Sequence, residues 1–473
     1  MPNSFGIGLM PAWTILWSAV LIVFNDAQRD FKRIQRNGKK SPEQDQSHVS
    51  DGHVNGLASG AETFDVQDGV SKRKSVETLS KRNLQPAEHG SQNFSSDSET
   101  TFSWQRYPEH SFKERLDWVV DAASNMRGIG WNWCSSTLPT FPPWVQSQLR
   151  QNGDGGETNL KNRDHRIGVT GNVSYQTRKH LVWTKLGTLA LNYLLLDLCK
   201  VVMMADPYFW GLMDRPPPSY LPDYISTSTT LLRSYRLLIS LTGILSALQA
   251  LFSLGPLIFS GLLGPSVIGT RGEPWLFPDI YGSFSANIFN KGLGGWWGGW
   301  WHQSFRFAFE APSKWLLEKT GIERTSNVGK VLQLVLAFSL SGFLHACASY
   351  TQAGPSEPLK GAFLFFFLQP YGIILQITLA QLLKYYGIRD RTPKPLRQAV
   401  NFVYVHMWMY YTAPLLTDDF AKGGLWLSEP VPVSLVRGLG FGGPGEGWWC
   451  LGWTSTWPRW VRGARWWNVG FAI

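Results

Sequence analysis

Residues 331–349 read Val331-Leu-Gln-Leu-Val-Leu-Ala-Phe-Ser-Leu-Ser-Gly-Phe-Leu-His-Ala-Cys-Ala-Ser349, an apolar run with a histidine, His345, inside it. A run of this length and composition reads as most of a transmembrane helix. An ionisable side chain at that depth is costly, so it faces a cavity or a partner rather than lipid. At helical spacing Ser341 lies one turn before His345 and Ser349 one turn after, so three polar side chains share one stripe. Gly342 thins the same wall and leaves room for something to approach. A histidine in an apolar tunnel, with a hydroxyl to orient its ring, has the makings of a membrane-embedded general base. The same stripe also fits a core histidine bonded to a backbone carbonyl of a neighbouring helix.

Further apolar segments lie at 9–24, 186–204, 237–255, 361–383 and 401–416. The chain of 473 residues also carries 24 Trp, a residue that concentrates at membrane interfaces. Together these predict an all-α, multi-span integral membrane protein with about six to eight transmembrane helices and additional interfacial helices. The net charge of +10 is spread over loops and interleaves with no aromatic surface, which excludes a nucleic-acid partner and fits contact with an anionic leaflet. Cys134, Cys199, Cys347 and Cys450 show neither metal-ligand spacing nor a disulfide framework, so no metal site is expected. The first apolar segment is followed, not preceded, by Arg29, Lys32, Arg33, Arg36, Lys39 and Lys40. Residues 1–36 therefore read as an uncleaved transmembrane helix with a cytoplasmic basic flank. The endoplasmic reticulum is the expected membrane.

Residues 37–110 are so poor in aliphatic side chains that they read as a disordered cytoplasmic loop. Residues 111–473 form the expected membrane domain, interrupted by a second polar insert at about 146–179. Both segments hold a glycosylation sequon, Asn93-Phe-Ser95 and Asn172-Val-Ser174, silent on the cytoplasmic side. Between them, Leu116, Val119, Val120 and Ala123 line one side of a helix that Arg127-Gly-Ile-Gly ends, and Trp131 and Trp133 suit an interface. Asp197 and Lys200 lie inside an apolar segment and call for partners. Pro207 stops that helix and Asp206 is placed to cap the next turn.

The stretch Asn290-Lys-Gly-Leu-Gly-Gly-Trp-Trp-Gly-Gly-Trp-Trp-His-Gln-Ser-Phe-Arg306 sets tryptophans between glycine pairs and then brings His302, Gln303 and Arg306 together. Glycine permits close backbone approach to a ligand and tryptophan offers flat walls with an N–H donor. An interfacial tryptophan belt explains the same residues. His406, among Tyr and Met, reads as a structural hydrogen bond. No nucleophile elbow, P-loop, zinc-protease motif or dinucleotide fingerprint is present, which argues against those enzyme classes.

These residues also carry a resemblance. Arg127-Gly-Ile-Gly-Trp131, Asp206-Pro-Tyr-Phe209, Trp301-His302-Gln303, Ser341-Gly-Phe-Leu-His345, and Ala421-Lys-Gly-Gly-Leu-Trp-Leu-Ser-Glu-Pro430 with Arg437-Gly-Leu-Gly440 occur in one order. Together, from about Glu114 onward, they resemble the fungal wax-synthase-like family, relatives of the membrane-bound O-acyltransferases. The resemblance implies acyl transfer from acyl-CoA to an alcohol, with acetylation of terpenoid or meroterpenoid intermediates of secondary metabolism as the foremost case. It makes His345 and His302 the expected catalytic residues. Gln303, Arg306, Arg127, Asn290 and Ser341 are expected to bind substrate or CoA, with the two arginines on the CoA phosphates. No bound cofactor is implied; acetyl-CoA or another acyl-CoA is a co-substrate, and the partners are a hydrophobic alcohol and the bilayer. One departure stands out: where the family writes Arg-Asp before the Trp box and Arg-Arg within it, this chain has Gly294, Gly295, Gly299 and Trp300. Long-chain wax or sterol ester synthesis is the rival enzymatic reading. A non-enzymatic transporter or lipid-binding protein is the rival class, although the internal repeats typical of transporters are absent.

Overall fold

The computed structural model describes residues 4–37, 101–151, 164–443, 446–450, 459–462 and 469–472. Five helices among them are long and apolar enough to cross a membrane: Phe5–Ile22, Arg178–Ala205, Thr229–Leu263, Asn327–Tyr350 and Leu359–Tyr385. The apolar segment expected at 401–416 is the middle of a 30-residue helix, Lys394–Gly423. That helix is long enough to cross, but its Tyr, Trp and His content lowers its hydropathy, so five helices rather than six to eight meet the length and composition of a span among the described residues.

Start signals are chemical. Ser111, Thr177, Ser228 and Ser326 each cap a helix by accepting a hydrogen bond from the backbone N–H three residues on. Such caps satisfy donors that have no partner within the helix. Asp206 caps the short turn Pro207–Trp210 through the Tyr208 N–H, as its position suggested. The same carboxylate, fully buried, takes a bidentate Arg236 at 2.9 Å on each side, which ties the ends of two spans together.

The first helix packs along Asn327–Tyr350. Gly8 lies so close to the Cys347 carbonyl that a Cβ there would overlap it, and the Thr351 hydroxyl donates to the Ser4 carbonyl at 2.7 Å. The start of one helix thus meets the end of the other, and they run antiparallel. Arg178–Ala205 packs on Thr229–Pro256. Ser240, Gly243, Ser246 and Ser253 are the buried stripe of the latter, the small-residue surface that lets membrane helices approach. Asp197 and Lys200 find their partners: Ser434 and the Val436 N–H on Asp197, and the Trp426 carbonyl at 2.9 Å on Lys200. Arg437 forks onto Glu429 at 2.7 and 3.1 Å. The late motif is therefore a clasp on the Arg178–Ala205 helix.

Three expectations change. Residues 38–100, with the Asn93 sequon, lie outside the described residues, but the expected loop does not extend to 110. Thr101–Gln105 is a strand paired with Arg33–Asn37 in a two-stranded sheet. The polar insert at 146–179 is largely part of the fold. Pro143–Gln151 is a helix, and Thr170, Asn172, Ser174 and Tyr175 are buried. Their burial is balanced by hydrogen bonds rather than apolar area. Asn172 is wholly buried and donates to the Asp279 carbonyl, so its sequon is closed by folding itself. Trp131 is core, not interface: it is 1% exposed and packs edge-on to Trp118. By contrast, Leu116, Val119 and Val120 are exposed on their helix among the described residues.

Candidate active site

His345 sits in the second half of Asn327–Tyr350, and its ring packs on Phe366 of the next span with centroids 4.1 Å apart. Its Nδ1 donates to the Ser341 carbonyl at 2.8 Å. That bond fixes the tautomer with the proton on Nδ1 and leaves Nε2 as a lone pair. The orienting group is thus the Ser341 backbone, not the hydroxyl expected from the sequence. Nor is the carbonyl that of a neighbouring helix. Ser349, the other end of the polar stripe, is turned to a different task, donating to Asp419 at 2.6 Å.

His302 comes just after a helical turn of wide π type, Trp296–Trp300, in which Trp296 and Trp300 are buried rather than belt-like. Its ring lies among Trp301, Phe305 and Phe252 at 5.2, 5.8 and 6.4 Å. Burial first, and then the charges of His345 and Arg127, lower its pKa to about 3. It is neutral at physiological pH and near enough to both groups to feel them. Its Nδ1 is buried with no hydrogen-bond partner among the described residues. Both histidines are partly buried.

The remaining expected residues are mostly structural in placement. Gln303 donates to the Trp297 and Trp301 carbonyls at 2.8 and 2.7 Å and accepts from Arg306 at 3.0 Å, so it staples the Trp loop shut. Arg306 is paired with Glu310 at 2.7 Å. Arg127 donates to the carbonyls of Pro278 and Asp279 at 3.0 and 2.9 Å; burial lowers its pKa to about 10, which leaves it charged. Neither arginine presents a free fork to a phosphate. Asn290 bonds Gln398 at 2.8 Å beside a 450 Å³ depression that Ser285, Phe289 and Pro395 also line. His406 is exposed and bonds the Phe402 carbonyl of its own helix at 2.8 Å, the structural role expected of it. No cluster of metal-ligating side chains occurs among the described residues.

The glycines of the Trp box have a physical reason. A Cβ at Gly295 would overlap the Asn287 carbonyl, and one at Gly299 the Asn287 side chain. Asn287 is itself pinned, donating to Thr170 and Ser283 carbonyls at 2.9 and 2.7 Å. Of the positions where the family writes a charged residue, Gly295, in place of aspartate, and Gly299, in place of arginine, are therefore closed, whereas Gly294 meets only Ile373 at an ordinary contact distance.

Sequence reading missed Gln369, although an amide inside an apolar span was the signal for it. Fully buried, Gln369 accepts from Trp297 and Trp408 at 3.1 and 3.2 Å and donates to Phe365 at 2.8 Å. It fixes the wall next to Phe366 and hence next to His345.

Sequence comparison finds similar proteins. The acetyltransferase ataH of Aspergillus terreus is 30% identical over 170 residues, 34% of this chain and 52% of its own length. The acetyltransferase pyr8 of Aspergillus fumigatus is 28% identical over 149 residues, 31% of this chain and 34% of its own. The chain thus spans about half or less of these two relatives. The acetyltransferase ple2 of Rhodocybe pseudopiperita is 24% identical over 335 residues, 70% of this chain and 73% of its own. No solved structure matches. Residues 277–368 match the membrane bound O-acyl transferase family; they hold the His302 and His345 motifs, while the motifs at Arg127, Asp206 and Ala421 lie outside the matched segment.

Proposed function

We propose that this protein is a membrane O-acyltransferase that moves an acetyl group from acetyl-CoA to a hydroxyl of a hydrophobic terpenoid or meroterpenoid in secondary metabolism. The observation that carries the reading is the His345 imidazole. It is held in an apolar helix, fixed in one tautomer with Nε2 open, inside the segment that matches an O-acyltransferase family. The names of the relatives favour acetyl as the group transferred.

The acceptor enters from the bilayer, where such an alcohol is already dissolved, and the donor from the cytoplasmic side. Nε2 of His345 takes the hydroxyl proton as the oxygen attacks the thioester carbonyl. The C–O bond forms, the C–S bond breaks, and the imidazolium returns the proton to the departing thiolate. Direct transfer suits this site: among the described residues Cys347 is paired with no histidine, and Ser349 is committed to Asp419. In this reading His302, neutral, polarises the carbonyl.

The test uses microsomes carrying the wild type or His345→Ala, fed labelled acetyl-CoA or palmitoyl-CoA with a panel of terpenoid, sterol and fatty alcohols. Histidine-dependent acetyl ester supports the proposal. Ester formed only from palmitoyl-CoA moves the assignment to wax or sterol esters. Equal turnover by His345→Ala overturns the base.

A further inference from the structure

Tyr281 belongs to no motif in the sequence, yet the chain around it is fastened on both sides. Before it, Arg127 holds the carbonyls of Pro278 and Asp279, and Asn172 adds a second donor to the Asp279 carbonyl at 2.9 Å. The Asp279 carboxylate takes the Tyr175 hydroxyl at 2.6 Å and the buried Lys185 ammonium at 2.7 Å. After it, the Gly282 N–H donates to the Trp300 carbonyl at 3.0 Å and the Ser283 N–H to the Thr170 carbonyl at 2.8 Å. The backbone at Tyr281 is thereby held from both directions.

The side chain between these anchors packs on Trp300 and Trp301 at 5.9 and 5.8 Å, the two rings that lead into His302. Its hydroxyl is buried and has no hydrogen-bond partner among the described residues. The same holds for His302 Nδ1 and for the Ser304 hydroxyl, on a residue that is wholly buried. Buried polar atoms are nearly always satisfied, so an unpartnered phenol packed against the two tryptophans that lead into an unpartnered histidine asks for an explanation. A rigid, water-shielded donor beside the reacting groups is what stabilises charge that exists only in a transition state. Burial also keeps the phenol protonated, and so a donor.

We infer that Tyr281 is a catalytic residue whose phenol hydroxyl donates a hydrogen bond to the thioester carbonyl oxygen as that oxygen becomes negative, alongside His302. The inference rests on the acyl-transfer reading above. No proton changes hands at Tyr281: the phenol keeps it, and His345 accepts and returns the proton of the acceptor.

Tyr281→Phe removes one oxygen and keeps the ring against the tryptophans. Expected is a fall in kcat of about 10²-fold, with KM for acyl-CoA within about twofold and unchanged amount and melting temperature in the membrane. A purely structural tyrosine would instead lower abundance or melting temperature and leave the specific activity of the surviving protein intact. Wild type and His345→Ala run in parallel. If the wild type forms ester dependent on His345 and Tyr281→Phe matches it within about threefold, Tyr281 has no such role and acyl transfer stands. If the wild type forms no ester from either donor, both proposals fall together.

Discussion

His345 Nδ1 lies 2.8 Å from the carbonyl oxygen of Ser341, one turn earlier on the same helix. The ring is oriented by its own backbone, so its tautomer depends on the helix being intact and not on any neighbouring side chain.

Removal of the base and removal of the nearby hydroxyl should therefore differ sharply. His345→Ala is expected to lose about 10²- to 10⁴-fold in kcat while the protein stays in the membrane. Ser341→Ala keeps the carbonyl and should retain activity within about threefold. Initial rates in microsomes, normalised to protein, check both; a Ser341→Ala loss as large as that of His345→Ala would restore a role to the hydroxyl.

Gln303 should behave as a brace. Its amide makes three hydrogen bonds, to the Trp297 and Trp301 carbonyls and from Arg306. Gln303→Leu strands two carbonyls and is expected to destabilise the detergent-purified protein by about 1–3 kcal/mol, seen as a lower melting temperature. An unchanged melting temperature with a raised KM for CoA would mean that Gln303 binds donor instead.

Gly298 and Gly299 are adjacent and should respond oppositely to alanine. Gly298 has open space beside it, whereas a Cβ at Gly299 would run into Asn287. Gly298→Ala should fold normally. Gly299→Ala should cost about 1–3 kcal/mol through overpacking, read from thermal melts.

His302 makes stability depend on pH. Its folded pKa is lowered to about 3, so on acidification the unfolded chain takes a proton near 6.5 that the folded chain refuses. Its share of stability is present above pH 6.5 and lost as pH falls from there toward 3. By about pH 5.5 the loss is about 1.4 kcal/mol. Denaturation at about pH 7.5 and about pH 5.5 should show a smaller loss for His302→Gln, which cannot protonate. Equal losses in the two proteins would mean that the ring is not kept neutral.

What could be read in advance was whatever depends on local pattern. The apolar runs, the Asp206 cap and the intramembrane His345 each announce themselves in a local stretch of sequence. The roles of Arg127 and Arg306 could not be read that way, because a sequence shows a cation but not the carbonyls or carboxylate that occupy it. The segment at 164–177 was misjudged for a related reason. Its low hydropathy looks like a surface loop, while Thr170, Asn172 and Tyr175 are buried by pairing with residues more than a hundred positions away. Asp279 and Tyr281 sit in no motif at all. The pairing of Arg33–Asn37 with Thr101–Gln105 spans a long intervening stretch, and nothing in either strand names its partner.

The contact between Gly299 and Asn287 also bears on how this loop changes over generations. An arginine at 299 meets an amide already committed to two carbonyls, and shrinking Asn287 first removes one donor from each of them. Each change is harmful without the other. Positions 287 and 299 are thus energetically coupled, so the cost of changing one depends on which residue stands at the other.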